Sequence, residues 1–334
     1  FSYLRWELVE ETNIGINFAT LRSRLNVDLD YFHRMTRNAV ISPRLSFSNQ
    51  TLAGNYGKIL NQGFDAALTW NDRAGNFKYH MGANLSFLWN EVKGLSGTSF
   101  IQGGKTVNWV GHEMNSFYGY KVAGIYQNAA EIAADPVAVA NGLEPGDFRY
   151  EDINHDGTID GNDRTTLGSY LPNFTYGLNI GFEWRNFDFE MTTYGQTGAQ
   201  IYNRKRALRY ASSLYNFDKD QYDSRWTGEG STNSAPSAKA LTKGWNVSDQ
   251  RVNSYFVESA DFFRIQNVTL GYTFKNIKFG AYTMPGIRLS MTANRPLTLF
   301  KANSFTPEVS DSEGWDTEVY PLTATYTFGV QINF

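Results

Sequence analysis

The sequence predicts an all-β fold, a transmembrane antiparallel β-barrel with long extracellular loops. Three observations predict it. From Leu322 to Phe334 every even position is apolar (Leu322, Ala324, Tyr326, Phe328, Val330, Ile332, Phe334) and every odd one is polar or glycine, the period of a strand with two unlike faces. That run is about twice the usual five or six residues of a soluble strand, and at about 3.3 Å per residue it crosses a bilayer at a tilt. Aromatics make up 16% of the 334 residues while mean hydropathy is only -0.43, and no apolar run approaches the roughly 18 residues of a spanning helix. Alternation reconciles the two, because each lipid-facing side chain is followed by a polar one that points inward. The third observation is that short and long connections take turns along the chain.

The elements come in order. Ile14, Ile16 and Phe18 alternate with polar residues, turn through Ala19 to Arg24, and return as Leu25, Val27, Leu29 and Tyr31. A second hairpin pairs Phe64, Ala66, Leu68 and Trp70 with the odd positions from Phe77 to Trp89, through Asn71 to Asn76. The third runs on even positions from Phe174 to Trp184, turns at Arg185-Asn186, and returns as Phe187, Phe189 and Met191. Val268, Leu270, Tyr272 and Phe274 then pair with Ile287, Leu289, Met291 and Ala293 across Lys275 to Gly286, and the terminal strand follows. These make about nine strands, or ten if Phe117 to Tyr126 were one; parity places that segment in a loop.

The long connections, about 32–63, 90–173, 195–267 and 295–321, all fall on the opposite rim from the short turns, as in outer-membrane barrels with short periplasmic turns and long external loops. A C-terminus in the periplasm then leaves Phe1 outside the cell. The whole of 1–334 is therefore expected to be the C-terminal portion of one barrel domain, its earlier strands and export signal lying upstream. Asp28, Asp30, Asp188 and Glu190 fall on inward faces, since a charge on the lipid face costs about 2–4 kcal/mol at mid-depth. Trp70, Trp89 and Trp184 sit at strand ends, where an interfacial girdle belongs.

Composition removes other classes. Lys+Arg 30 against Asp+Glu 33 gives a net charge of -3, with no electrostatic footprint for nucleic acid, and Cys 0 excludes disulfides and thiolate metal sites. The four histidines (His33, His80, His112, His155) are scattered, and His112-Glu113 lacks the second histidine of a zinc-protease helix. Gly104-Lys105-Thr106 lacks the first glycine of a phosphate loop. The chain is not read as an enzyme.

One motif carries chemistry. Asp152, Asn154, Asp156, Thr158, Asp160 and Asp163 stand at positions 1, 3, 5, 7, 9 and 12 of a calcium-type loop, with Gly157 at the sharp bend. Asp163 replaces the usual glutamate and reaches one methylene less far. A structural Ca2+ bracing an external loop is expected, against the alternative of an Asx-rich turn held by its own side-chain-to-backbone bonds. Four loop tryptophans, Trp109, Trp226, Trp245 and Trp315, with Tyr202, Tyr210, Tyr215 and Tyr222 nearby, offer flat faces for sugar rings or peptide side chains, unless the loops pack on their own aromatics.

Several phrases resemble one family, the SusC/RagA class of TonB-dependent outer-membrane transporters. Leu4-Arg5-Trp6-Glu7 with Thr12-Asn13-Ile14-Gly15 resembles its "LKWE...TNIG", and Asn61-Gln62-Gly63-Phe64-Asp65 its "NKGFE". Gly146-Asp147-Phe148-Arg149-Tyr150, the Asp152 loop, Asp163-Arg164-Thr165 and Gly168 resemble its "PGDIKYKDLNGDGVIDDNDRTxIG". Arg264 to Tyr272 resembles "LRLKNISLGYTLP". The resemblance implies a 22-stranded barrel in outer-membrane lipid, a SusD-like lipoprotein as lid, and import of oligosaccharides or peptides energised by TonB-ExbB-ExbD through a missing N-terminal plug that carries the TonB-contacting segment. Two other roles compete: a SusC-like barrel serving as a scaffold in a surface assembly without transport, and a barrel hydrolase with acids and histidine at its rim.

Overall fold

The computed structural model describes residues 4–41, 53–103, 106–212, 214–248, 251–280, 282–308, 313–317 and 320–333. Phe334, Gly104, Lys105 and the middle of the 32–63 connection lie outside them.

Nine strands form one antiparallel sheet in which each strand pairs with the next along the wall. They are β1 (Leu8–Thr20), β2 (Leu25–Ile41), β3 (Gly54–Ala74), β4 (Phe77–Leu95), β5 (Phe174–Trp184), β6 (Phe187–Thr197), β7 (Phe262–Phe279), β8 (Tyr282–Phe300) and β9 (Thr325–Asn333). All nine expected strands are present. The segment Phe117 to Tyr126 contributes two short strands to small sheets of its own, outside the wall, so the alternation of connections stands.

Register lines the outward residues into rows. Leu25, Trp70, Met81, Ile180, Met191, Val268, Ala293 and Tyr326 face one another across eight strands. This face is bare of protein: Met81 is 47% exposed, Leu270 50%, Tyr326 55% and Val330 68%. A soluble monomer rarely leaves so continuous an apolar surface in water, whereas a lipid-facing wall requires one. Aromatic rows edge the band. Ile14, Tyr31, Phe64, Phe87 and Phe174 mark its upper limit, with Tyr31 and Phe64 rings 5.1 Å apart and Phe87 and Phe174 4.3 Å. Trp184, Phe187, Tyr272, Leu289 and Val330 mark the lower.

The strands outrun the sequence pattern. β2 continues to Ile41 and β3 begins at Gly54, so most of the expected 32–63 loop is paired strand, and the expected loops starting at 90, 195 and 295 begin instead after Leu95, Thr197 and Phe300. Past Tyr31 the outward face carries His33 and Arg37, with Arg37 bonded to Glu10 at 2.8 Å. Once a strand rises above the apolar band both faces meet water, so the contrast between faces disappears while backbone pairing continues. Likewise the Lys275 to Gly286 turn narrows to 280–281, and β9 starts at Thr325 rather than Leu322.

The three other long connections, 96–173, 198–261 and 301–324, fold together on the rim opposite the short turns. Phe117 from the first, Tyr202, Tyr210, Leu241 and Phe256 from the second, and Trp315 from the third share one core. A second core joins Ile125, Tyr126, Phe148 and Tyr150 to Trp245. These loops are a packed cap.

Candidate functional site

The site is the polar face of the wall and the cap above it. Toward the cap, Asp30 faces Asp65 across β2 and β3, with Asp28 beside them and Asn84, Ser86, Thr175 and Asn179 continuing the surface. They line a concavity of about 420 Å³ whose lining holds three carboxylates and no basic side chain. Toward the turns a second concavity, about 550 Å³, is lined by acids and basic side chains. Lys78 meets Glu183 at 2.8 Å, His80 meets Glu190 at 3.1 Å and Arg288 meets Asp188 at 2.5 Å. Two of these pairs lie over a residue without a side chain: a Cβ on Gly181 would strike His80 and Glu190, and one on Gly271 would strike Asp188 and Arg288. The inward placement of Asp28, Asp30, Asp188 and Glu190 follows directly from strand parity.

A charged hub ties the cap together. Helix Arg204–Tyr210 begins with Asn203 capping it, the side-chain oxygen accepting from the Arg206 N–H at 2.9 Å. This aims the buried Arg206 guanidinium at three partners: Nε donates to the Tyr210 hydroxyl at 2.7 Å, and the terminal nitrogens to Glu258 at 3.0 Å and Asp220 at 2.7 Å. Glu258 also accepts from the Asn303 N–H, binding the second long loop to the third. No local sequence pattern marks the ion pairs of this hub, because the acids that Arg206 meets, Asp220 and Glu258, lie 14 and 52 residues away. A second tie joins Glu144 to Lys239 and Lys243, each at 2.8 Å, and these two ammonium groups hold the Glu144 carboxyl far below its ordinary range, to about 2.

The tryptophans divide. Trp245 (9% exposed) and Trp315 (4%) are core residues and present no ring face to a ligand, a correction to the expectation that they bind substrate. Trp245 donates Nε1–H to the Phe148 carbonyl at 2.9 Å, and Trp315 packs on Tyr202 at 4.3 Å. Tyr202 and Tyr210 are buried beside them, whereas Tyr215 and Tyr222 are exposed. Trp226 is half-buried, its Nε1–H on Gln127 at 3.2 Å. Trp109 is half-buried at the end of the strand Thr106–Trp109, near Phe100, His112 and Tyr118.

The calcium-type loop closes on itself. Asp163 is fully buried, one oxygen accepting from the Ile153 N–H at 3.0 Å and the other from the Asp160 N–H at 2.8 Å. Asp152 accepts from the Gly157 N–H at 2.8 Å, Asp156 from the Thr158 N–H at 2.9 Å and Asn154 from the Asp156 N–H at 3.2 Å. The Thr158 and Asn154 side chains and the Thr158 N–H depress the Asp156 carboxyl. These are Asx turns, and among the described residues no three acids or histidines are grouped to hold an ion. One atom fits a cation: Asp152 Oδ1 is buried and accepts nothing.

No family model matches the chain. A TonB-dependent receptor of Formosa agariphila is 27% identical over 356 aligned residues, covering 99% of this chain and 35% of the receptor. TonB-dependent receptor SusC of Bacteroides thetaiotaomicron is 24% identical, covering 99% and 32%. Among solved structures the RagAB peptide importer in its closed-closed state superposes with a TM-score of 0.78 at 22% identity, over 99% of this chain and 36% of that one. The chain thus spans about a third of the curated relatives it matches. The structural likeness shows the fold, part of a transmembrane antiparallel barrel, and the likeness to SusC and RagA extends over the whole chain. Relatives named receptors and importers accord with a chain that is not an enzyme.

Proposed function

We propose that this chain, a SusC/RagA-like portion of a TonB-dependent transporter barrel, supplies wall and cap to an importer of oligosaccharides or peptides in the bacterial outer membrane. The observation that carries this is the two-faced wall: an exposed apolar band on one side, a charged concave face on the other, and folded loops gathered on one rim. The turns then lie in the periplasm and the cap outside, where a SusD-like lipoprotein closes over it and the half-buried Trp109 and Trp226 stand nearest to captured cargo. Drive comes from TonB-ExbB-ExbD acting on a part of the protein outside this chain. The test is uptake of fluorescent peptides and oligosaccharides by cells expressing the intact protein, with and without TonB. TonB-dependent uptake of one class is expected; normal surface assembly with no uptake of either would instead establish the scaffold role.

The Asp152 loop is proposed to take one calcium ion as structural support for the cap, through Asp152, Asn154, Asp156, Thr158, Asp160 and Asp163. The order of donors and the unpartnered Asp152 Oδ1 support it. Each Asp163 oxygen accepts one backbone N–H and keeps a second lone pair for the ion. Chelation is expected to increase protease cleavage within 152–163, and Asp152→Asn to abolish the difference; cleavage indifferent to both calcium and chelator removes the ion.

A further inference from the structure

The short-turn rim is net positive in a chain whose net charge is -3. The short turns and the strand ends that flank them, 19–24, 71–76, 185–186 and 275–286, hold six basic residues (Arg22, Arg24, Arg73, Arg185, Lys275, Lys278) and one acid, Asp72. They account for a net +5, so the rest of a chain of net charge -3 carries -8. Asp72 is taken by Arg24 at 3.2 Å. Arg22, Arg185, Lys275 and Lys278 are exposed. Arg185 is fixed where it matters, its guanidinium 5.0 Å from the ring centre of Trp184, which is itself 45% exposed at the lower edge of the apolar band. The outward face therefore passes from aliphatic side chains through an indole to a cation within two residues.

We infer that this rim binds the phosphate of anionic phospholipids in the leaflet it meets. This rests on the proposed placement of the wall in an outer membrane with its turns periplasmic. An aromatic ring beside a basic side chain matches the interface of such a leaflet: the ring takes the glycerol level and the cation the phosphate just beyond. Charge complementarity selects the anionic species, since a neutral or zwitterionic headgroup offers no net attraction to a rim of +5. Arg185 supplies a planar fork suited to phosphate, and stacking on Trp184 leaves its edge free to donate.

The intact transporter is reconstituted in nanodiscs of phosphatidylethanolamine and phosphatidylglycerol, re-extracted in mild detergent, and its retained lipid counted by mass spectrometry. Wild type is expected to hold phosphatidylglycerol in excess over the supplied ratio, with the excess falling as salt is raised. Arg185→Gln is expected to lower that retention about five-fold, the effect of one basic residue at an anionic surface, and Arg22→Gln with Lys278→Gln to lower it further. Arg185→Lys keeps the charge and is expected to retain most of it, which separates charge from misfolding. Equal retention by wild type and all variants overturns the inference, as does retention of added lipopolysaccharide, rather than phosphatidylglycerol, lost on substitution. Failure of the wild type to enter nanodiscs as a heat-modifiable barrel would instead sink the membrane reading.

Discussion

Replacing Arg206 by methionine keeps most of the side chain's volume and removes its charge from the centre of the cap. Three hydrogen bonds are lost, to Tyr210, Glu258 and Asp220. Breaking a buried ion pair by deleting one partner costs about 3–5 kcal/mol, most of it the charge left behind. Here the stranded acids keep some support: Asp218, 3.5 Å from Arg206 Nε, retains Arg209 at 2.7 Å, Glu258 retains the Asn203 amide at 3.2 Å, and Asp220, 54% exposed, returns to water. The expectation is therefore the low end, about 3 kcal/mol, confined to the cap. At about 1.4 kcal/mol per factor of ten that is a hundredfold or more in local opening. Amide hydrogen exchange of the intact protein in lipid reads it directly, as faster exchange in peptides covering 203–225 and 254–258 with unchanged protection in β5 and β6. Arg206→Lys should fall between, since an ammonium cannot serve three directions as the guanidinium does. Acceleration below about three-fold would refute the reasoning and make the hub a cluster whose desolvation cancels its attraction.

Three more expectations test the wall and cap. Leu178→Arg places a cation on the lipid face in the middle of β5 and should cost about 2–4 kcal/mol, read as loss of heat-modifiable barrel, while Asn179→Arg one residue on, facing the lumen, should insert normally; equal behaviour would void the assignment of faces. Trp315→Ala empties a site packed by Phe117 and Tyr202 and should cost about 3–5 kcal/mol of cap stability, seen as exchange or proteolysis at 198–211, with wall insertion intact. The Glu144 carboxyl, held at about 2 against an ordinary 4.5, stabilises the folded cap fully above pH 4.5 and loses that contribution as pH falls toward 2. Exchange in 143–147 and 239–243 should rise across that window in the wild type, and Glu144→Gln should remove the rise.

The wall was legible because lipid writes a strict rule into sequence. Between Phe174 and Trp184 each side chain meets either hydrocarbon or water, and the residues alternate accordingly. Where the rule lapses, so did the reading: His33 and Arg37 share a face with Val27 and Leu29 yet lie above the band, and the strand they occupy read as loop. The cap was illegible for a different reason. Its core forms from Phe117, Tyr210, Phe256 and Trp315, contributed by separate connections with no common period, so the residues appear singly as loop aromatics and invite a ligand role. Density of large aromatics in segments too long for bare loops was the available signal; packing, rather than recognition, accounts for Trp245 and Trp315. The Arg206 hub left no trace, since each acid in it is unremarkable in its own neighbourhood.

That difference follows from which solvent each half answers to. The wall's apolar side chains, Met81, Leu270 and Val330 among them, are not covered by protein, so hydrocarbon must supply their burial, and the backbone ladder closes only within the sheet. The cap instead carries two cores and buried charge networks that owe nothing to lipid. It can therefore be held rigid or loosened by changes at Arg206, Glu144 or the Asp152 loop without altering insertion. Mobility of the cap is set by polar and packing contacts within the loops, and residence in the membrane by the alternation below them. The proposed import, in which the cap opens while the wall stays sealed to lipid, requires that separation of controls.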